Sequence, residues 1–401
     1  MIHIARFPVP WMVAILIAAG CADLAGRACP QCADCVPCAA PARAAAARYE
    51  PTPYAAIPGW QGAALAPGLR AFVAGCPWIA PASALRRACD AARAVAAEDE
   101  RAARRFLEDV FSAWAVLSPQ GADRGLVTGY YEPILAGSRT RTDRYRHPVY
   151  GAPEDLVAVD LESLQPELKH LRLRGRIEGR RLVPYWSRAE IEARGAELRA
   201  PILAWVEDPV ELFFLQIQGS GQIALASGER LRLGYADQNG HPYRSLGRHL
   251  VERGELTLEQ ASMQGIKAWA AANPGKLRQA LEVNASYVFL RELPATEATP
   301  GIAEGPLGTL GAPLSAGFSL AVDPRATPLG APVFLATTWP LSTQPLERLM
   351  AAQDSGGAIR GALRADFYWG TGSEAGAVAG RMRQQGRMWI LWPRGEALPS
   401  P

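Results

Sequence analysis

The sequence predicts a mainly β protein with some helix, and three observations carry this prediction. After Val116, short apolar runs alternate with Gly, Pro and Asn, which is the pattern of short strands joined by turns. Gly and Pro occupy 38 and 33 of the 401 residues without a fixed period, which favours a turn-rich chain. Residues 83–116 instead repeat apolar side chains at helical spacing. The length predicts two domains, or one domain with an insertion.

The composition is that of a globular protein and argues against two classes of function. Hydrophobic residues make up 49% of the chain and charged residues 20%. The 42 Lys and Arg residues nearly balance the 39 Asp and Glu residues, so the net charge of +3 argues against nucleic acid as a main partner. The five histidines lie far apart without a His-x-x-x-His pair, so a zinc enzyme is not expected.

Residues 1–20 are predicted to be a lipoprotein signal peptide. Arg6 precedes an apolar stretch, residues 9–19, that is shorter than the roughly 20 residues needed to span a membrane. Small residues directly before Cys21 resemble a bacterial lipobox, with Ala18 where Leu is usual, so we expect Cys21 to be lipidated. An ordinary signal peptide with an incidental cysteine is the alternative. Because Asp does not directly follow Cys21, we expect an outer membrane lipoprotein that faces the periplasm.

Residues 21–50 form a predicted Ala/Pro-rich tether with four evenly spaced cysteines: Cys29, Cys32, Cys35 and Cys38. Their spacing superficially resembles the cysteine run of bacterial ferredoxins. No second run follows and the surroundings are of low complexity, so we interpret them as tether cysteines that pair or stay free. An iron–sulfur or metal role is the alternative.

Residues 83–116 are predicted to form two helices with one buried stripe of apolar side chains: Phe106, Leu107, Val110, Phe111 and Trp114. Cys76 and Cys89 flank Trp78 and the start of the first helix. In an oxidising periplasm we favour a disulfide between them, with two buried free thiols as the alternative.

The remainder of the chain is predicted to be strands with a few helices. The predicted strands are Leu126–Tyr131, Ile202–Trp205, Leu212–Ile217, Gln222–Ala226, Phe318–Val322, Val333–Ala336, Leu349–Ala352, Ala365–Tyr368 and Met388–Trp392. The predicted helices are Leu246–Glu252, Leu258–Ala272 with a Thr257/Gln260 capping box, and Ser373–Gln384, which stops at Gly386.

Three polar clusters stand out from this β background, at residues 127–133, 216–240 and 321–370. Each combines Tyr, Trp, Gln, Asn, Asp or Arg with Gly-rich turns. Aromatic rings stack on the apolar faces of sugars, and planar amides and carboxylates bind their hydroxyls. The clusters therefore predict a carbohydrate groove, although any single aromatic residue here is also typical of an ordinary amphipathic wall.

Asp366 is the candidate proton donor of this groove. It stands before the aromatic residues 367–369, which would disfavour its ionised form and raise its pKa, as a general acid requires. Asp354 precedes a Gly-Gly turn and is either a second carboxylate of the site or an acceptor for backbone N–H groups of that turn. Asp323, before Pro324, is interpreted as a turn residue.

Five ordered motifs lie between residues 120 and 392: Thr128-Gly129-Tyr130-Tyr131, Gln218-Gly219-Ser220-Gly221, Asn239-Gly240-His241-x-Tyr243-Arg244-Ser245-x-Gly247, Asn284-x-Ser286-x-Val288-Phe289, and the aspartates Asp323, Asp354 and Asp366. In these motifs the sequence resembles the MltA family of membrane-bound lytic murein transglycosylases. The cysteine-rich tether and Glu132, after the paired tyrosines, depart from the family pattern.

The resemblance implies a double-psi β-barrel, similar to that of certain endoglucanases, interrupted by an inserted second small β-barrel. Residues 51–130 and 285–393 would form the catalytic barrel with its N-terminal helices, residues 131–284 the inserted barrel, and residues 394–401 a tail. Glycan would bind in the groove between the barrels. The resemblance also implies an outer-membrane lipoprotein.

The same resemblance implies cleavage of the β-1,4 bond between N-acetylmuramic acid and N-acetylglucosamine in peptidoglycan, leaving a 1,6-anhydro ring. Asp366 would act first as acid and then as base, with no metal or cofactor. The expected sugar contacts and positioning residues are Asp354, Thr128, Tyr131, Gln218, Gly219, Ser220 and Gln353. The expected partners are peptidoglycan glycan strands and the outer membrane through the lipid anchor, with cell-wall synthesis or scaffold proteins as further candidates.

Two rival functions remain open. A hydrolase on the same barrel would use Asp354 and Asp366 as an inverting pair. A non-catalytic lipoprotein would keep the groove only to bind glycan.

Overall fold

The computed structural model describes residues 47–95, 98–161, 163–164, 173–294 and 305–399. The signal peptide, Cys21 and the cysteines of the tether lie outside these residues. No helix within the described ranges is long and apolar enough to cross a membrane.

The structure contains the following elements in these ranges. The strands are β1 (Arg48–Pro51), β2 (Phe111–Leu117), β3 (Gly125–Glu132), β4 (Ile134–Ser138), β5 (His147–Tyr150), β6 (Val157–Ala158), β7 (Arg174–Glu178), β8 (Arg181–Pro184), β9 (Ile202–Val206), β10 (Gly221–Leu225), β11 (Arg230–Gln238), β12 (Val288–Glu292), β13 (Ser319–Val322), β14 (Pro332–Thr338), β15 (Pro345–Asp354), β16 (Ala365–Thr371) and β17 (Arg383–Pro393). The helices are α1 (Ala66–Gly75), α2 (Leu85–Ala92), α3 (Glu100–Val110), α4 (Arg188–Arg194), α5 (Pro209–Gln218), α6 (Leu246–Glu252), α7 (Met263–Ala272), α8 (Pro274–Glu282) and α9 (Ser373–Ala379).

Six strands close into the first barrel. They follow the order β17-β14-β15-β13-β16-β3, and β3 pairs back onto β17. The pairs β13–β15 and β16–β3 are parallel and the others antiparallel. β2 and β1 extend the sheet outward from β17. The predicted mainly β fold with a barrel is confirmed.

The core of the first barrel joins strands from both ends of the chain. Trp60, Phe72 and Phe111 are buried in one cluster with Phe334 and Trp389. β3 pairs with β16 and β17, and β2 pairs with β17, so residues before 131 and after 285 share one sheet.

A second, smaller sheet is built between these two parts of the chain. Its strands follow the order β12-β11-β10-β4-β9-β5, and a bridge between Gly151 and Leu290 brings its two ends together. Leu135, Val206 and Ile223 belong to its buried cluster. β12 lies beyond the expected domain boundary at residue 284, yet it pairs within this second sheet. A third sheet, β6-β7-β8, has three short strands.

The N-terminal helices differ from the prediction at one end. Asp99 caps α3 by accepting hydrogen bonds from Arg101 N and Ala102 N. The predicted helix through residue 116 is wrong after Val110, because Phe111 takes an extended conformation and begins β2. Pairing of β2 with two neighbouring strands overrides the helical spacing of its apolar residues.

Cys76 and Cys89 are joined by a disulfide, with Cα atoms 5.6 Å apart. The bond links the turn after α1 to α2, and both residues are fully buried. The predicted disulfide between Cys76 and Cys89 is therefore confirmed.

The predicted strand Leu212–Ile217 is wrong, because these residues lie in α5. Asp208 caps this helix by accepting from Val210 N and Glu211 N, and Pro209 occupies its first position. Gly219 ends it in the left-handed conformation, with φ of 76°.

Two other helices are shorter than predicted. Ser262, not Thr257, caps α7, although Thr257 and Gln260 do exchange the expected hydrogen bonds across a preceding turn. α9 ends at Ala379, because Arg383 already begins β17.

Candidate functional site

Strand register places the candidate carboxylates in one row across the first barrel. Ala321 on β13 pairs with Asp354 on β15 and with Asp366 on β16. Asp366 in turn pairs with Thr128 on β3. Neighbouring strands are about 4.8 Å apart, so the backbones of Asp354 and Asp366 are separated by about 10 Å.

Asp366 is held by a short relay of side chains. Thr128 Oγ1 donates to Asp366 Oδ1 at 2.5 Å, and Arg364 Nη2 donates to Thr128 Oγ1 at 2.8 Å. Burial raises the pKa of Asp366 from 3.8 to about 6, against the lowering effects of the Thr128 hydrogen bond and the Arg364 charge, and the charge of Asp354 adds to the rise. Part of the residue still reaches solvent. The structure therefore offers a carboxyl that exchanges its proton near neutral pH at an accessible position.

Asp354 is hydrogen-bonded to Thr309, in the loop before β13. Its Oδ1 accepts from Thr309 N at 2.9 Å, Thr309 Oγ1 at 2.8 Å and Ser355 N at 2.8 Å. Burial raises the pKa of Asp354, and these donors oppose the rise. The contacts match the turn-acceptor alternative, and they also fix a second carboxyl near Asp366.

Asp323 is a structural carboxylate. Its oxygens accept from Arg325 Nε at 3.0 Å, Arg325 Nη2 at 2.6 Å and Gly361 N at 2.7 Å. Burial alone would raise its pKa, but these bonds together lower it to about 2. Such a group stays ionised and offers no proton to a substrate, in keeping with its interpretation as a turn residue.

Gln353, expected to contact sugar, is fully buried. Its Nε2 donates to Ala71 O at 2.8 Å, and its Oε1 accepts from Ser319 Oγ. Both ends of the amide are committed to protein groups, so its position in the barrel core does not support a sugar contact.

Tyr131 and the motif after α5 lie together on another face. Tyr131 N donates to Gln218 Oε1 at 3.4 Å, and Tyr131 Oη contacts Met263 Sδ at 3.1 Å. Gly219 and Ser220 follow directly at the helix end. A cleft of about 200 Å³ opens here, lined among others by Gly129, Tyr131, Gln218, Tyr243, Met263 and Gly380.

Alternation along β3 separates this cleft from the carboxylates. Successive side chains of a strand point to opposite faces, so Thr128 and Tyr130 share the face of Asp366 while Tyr131 takes the other. The bond from Thr128 to Asp366 and the ring contact between Tyr130 and Tyr368, with centroids 5.2 Å apart, agree with this.

Sequence reasoning missed three residues of the site: Tyr130, Arg364 and Thr309. The Tyr130 hydroxyl is enclosed, and it interacts with the Asp354 carboxyl. Burial raises its pKa well above the usual range, and the charges of Asp354 and Asp366 add to this. Because side chains two residues apart on a strand share a face, Tyr130 could have been selected from its position two residues after Thr128. Thr309 lies 45 residues before Asp354, and the sequence gives no comparable signal for it.

The described residues do not contain a group of three or more His, Cys, Asp or Glu side chains that could hold a metal ion.

Comparison with known proteins is consistent with this geometry. Residues 126–291 match the family model of the MltA specific insert domain, and residues 318–392 match that of the 3D domain. Membrane-bound lytic murein transglycosylase A of Escherichia coli K12 is 34% identical over 300 residues, which are 73% of this chain and 72% of that protein.

Solved structures extend the likeness to the fold. The crystal structure of MltA from Neisseria gonorrhoeae has a TM-score of 0.78 and 39% identity, covering 89% of this chain and 95% of that one. The structure of E. coli MltA with bound chitohexaose has a TM-score of 0.63 and 28% identity, covering 82% and 91%. The two-barrel architecture, the matching domains and the extent of identity show that this chain belongs to the MltA family of lytic murein transglycosylases.

Proposed function

We propose that Asp366 is the single acid and base with which this enzyme cleaves the β-1,4 bond between N-acetylmuramic acid and N-acetylglucosamine. The observation that carries the proposal is a partly exposed carboxyl whose pKa burial raises to about 6. Family membership makes the chain a lytic transglycosylase acting on peptidoglycan. The chitohexaose in one relative's structure supports an oligosaccharide-binding groove.

The proposed reaction uses one carboxyl in two steps. Asp366 first gives its proton to the glycosidic oxygen as the bond from that oxygen to the anomeric carbon breaks. The resulting carboxylate then takes the proton of the C6 hydroxyl of the muramic residue, while that oxygen bonds to the same anomeric carbon. Asp366 ends protonated, water is not consumed, and a 1,6-anhydro ring results.

The surrounding residues have distinct proposed tasks. Thr128 holds the Asp366 carboxyl through its hydrogen bond. The negative charge of Asp354 helps to raise the pKa of Asp366. Tyr131 and Gln218 line a cleft on the other face of β3, and Gly219 and Ser220 follow at the end of α5. All four are proposed sugar contacts. Peptidoglycan glycan strands are the proposed ligand of the groove.

A hydrolase using Asp354 and Asp366 is the second candidate. The register places Asp354 and Asp366 two strands apart in one row, which supports a pair of carboxyls. Inverting glycosidases hold such a pair about 6.5–9.5 Å apart, with room for a water. The hydrogen bonds that occupy Asp354 Oδ1 count against its use as a base.

Mass spectrometry of digested sacculi separates the two. The transglycosylase releases 1,6-anhydromuropeptides, whereas the hydrolase leaves reducing ends heavier by one water. Reducing ends as the main product would contradict the proposed function.

We also propose that Cys21 carries a lipid anchor that holds the protein at the outer membrane, facing the periplasm. The support is the small-residue sequence before Cys21 and the membrane-bound relatives. Cys21→Ala should move the protein out of the outer-membrane fraction, and the wild type should resist washing with salt. Retention of the variant in that fraction would disprove the anchor.

A further inference from the structure

Glu132 is a buried carboxyl at the point where the chain leaves the first barrel for the second. Its Oε2 accepts from Gln222 Nε2 at 2.9 Å and from Thr371 Oγ1 at 2.8 Å. Gln222 lies on β10 of the second sheet and Thr371 at the end of β16. Glu132 is 1% exposed, so these protein groups take the place of water. One carboxyl oxygen thus joins both barrels.

The Thr371 contact lies just after a β-bulge in the strand of Asp366. Tyr130 pairs with Tyr368 and Glu132 with Thr371, so β16 advances three residues where β3 advances two. Gly370, with φ of 113°, lies within the extra length. Bulges bend a strand and change the direction of its side chains. Glu132 restores the pairing after the bulge, since its backbone oxygen also accepts from Gly372 N at 2.8 Å.

The hydrogen bonds of Glu132 with Gln222 and Thr371, which we call the joint, keep this buried carboxyl stable. Burial raises the pKa of Glu132, and the Thr371 and Gln222 hydrogen bonds oppose the rise, together with the charges of Arg232 and Arg230. Arg230 Nη1 donates to Gln222 Oε1 at 3.1 Å, which orients the amide so that its Nε2 faces Glu132. A buried carboxylate without such donors is strongly unfavourable.

We propose that Glu132 is a positioning residue for the reaction, because it fixes the bulged end of β16, and with it Asp366, against the second barrel. This inference rests on the proposed function of Asp366. We expect a glycan in the proposed groove to contact both barrels. Slack at this joint would then weaken glycan binding, which raises KM, and would displace the acid relative to the bound sugar, which lowers kcat. Misplacement of a reacting group by about 1 Å can cost about 10²-fold in rate.

Exchange of the two partners tests the joint. Gln222→Glu sets a second carboxylate opposite Glu132 in place of the amide donor, and we expect kcat/KM on murein glycan to fall about tenfold or more with a raised KM. The double variant Glu132→Gln/Gln222→Glu again pairs an amide donor with a carboxylate. It should recover most of the loss, and a double variant no better than Gln222→Glu would overturn the proposal.

Two threonines of the first barrel provide a milder, matched comparison that does not depend on the folding of Gln222→Glu. Thr371→Val removes the bond to Glu132, whereas Thr337→Val removes a similar bond of 2.9 Å from Thr337 Oγ1 to Gln385 O. Only Thr371→Val should raise KM, since loss of folded enzyme alone lowers kcat without changing KM. Equal KM values in the two variants would also overturn the proposal.

Failure of this inference differs from failure of the proposed function. If the wild type yields reducing ends instead of anhydro ends, the proposed chemistry is wrong. If it yields anhydro ends but the exchange and threonine variants keep wild-type KM, only the role of Glu132 is wrong.

Discussion

Asp366→Asn should abolish catalysis and at the same time stabilise the fold. Burial raises the pKa of Asp366 from 3.8 to about 6, so keeping the carboxylate ionised in the folded state costs about 3 kcal/mol. Asn is nearly isosteric and carries no charge, so at pH 8 it should raise the free energy of unfolding by up to that amount. Because Asn transfers no proton, activity should fall by about 10⁴-fold or more, the upper end for a placed acid–base group.

The pH dependence fixes the sign of this effect. The folded wild type holds the Asp366 proton between a pH of about 4 and a pH of about 6, where the unfolded chain has released it. The free energy of unfolding of the wild type therefore declines as pH rises through this window. The advantage of Asp366→Asn should be absent near pH 4 and complete above pH 6.

Asp323→Asn is the matched control with the opposite sign. Its hydrogen bonds lower the pKa of Asp323 from 3.8 to about 2, so the ionised form contributes about 2 kcal/mol. This contribution is present above the unfolded pKa and is lost as pH falls toward 2. Asp323→Asn should therefore destabilise the protein at neutral pH.

Urea denaturation from pH 4 to pH 8 would measure both variants, alongside release of anhydromuropeptides from purified sacculi and binding of insoluble murein. Murein binding by Asp366→Asn should survive, since the groove keeps its shape. Near-wild-type turnover of Asp366→Asn would refute its assignment as the acid. A stability change of the same sign in both variants would refute the electrostatic reasoning.

Three further predictions concern the surroundings of Asp366 and the N-terminal helices. Thr128→Val removes a hydrogen bond that lowers the pKa of Asp366, so the loss of kcat/KM at high pH should move to higher pH; a shift downward would contradict the relay. Asp354→Asn removes a charge that raises the same pKa, so this limb should move to lower pH with a smaller loss of activity than in Asp366→Asn; an equal loss would favour the hydrolytic pair. Replacing Cys76 and Cys89 by Ala removes a cross-link between residues 13 positions apart in sequence and should lower the free energy of unfolding, measured in urea, by about 3 kcal/mol. An unchanged free energy of unfolding would contradict this prediction.

Sequence patterns predicted strands better than they predicted the helix α5. β3, β10 and β13 coincide with predicted strands to within one residue at each end, because turn residues bound each apolar run. The run Leu212–Ile217 has no alternation, so its periodicity does not distinguish a buried strand from a buried helix. The deciding signals were its ends, the capping Asp208 with Pro209 and the terminal Gly219.

The candidate site was predictable in its carboxylates but not in its contacts. Aromatic neighbours of Asp366 indicated a raised pKa, and the structure gives that direction with burial as the largest cause. The sequence alone did not indicate that Thr128 lies opposite Asp366, because the two are 238 residues apart and meet only through the β3–β16 register. Gln353 was selected for its polarity, but its immediate neighbours in sequence do not reveal the buried partners Ala71 and Ser319.

The strand β3 connects Asp366, the proposed acid, to the second barrel. Thr128 on this strand holds Asp366, and four residues later Glu132 binds both Thr371 and Gln222. Pro133 then separates β3 from β4, the first strand of the second sheet. We therefore expect a displacement of the second barrel to alter the position of Thr128, and with it the proposed acid Asp366. An inserted barrel joined at a more distant loop would bind glycan without this constraint on Asp366.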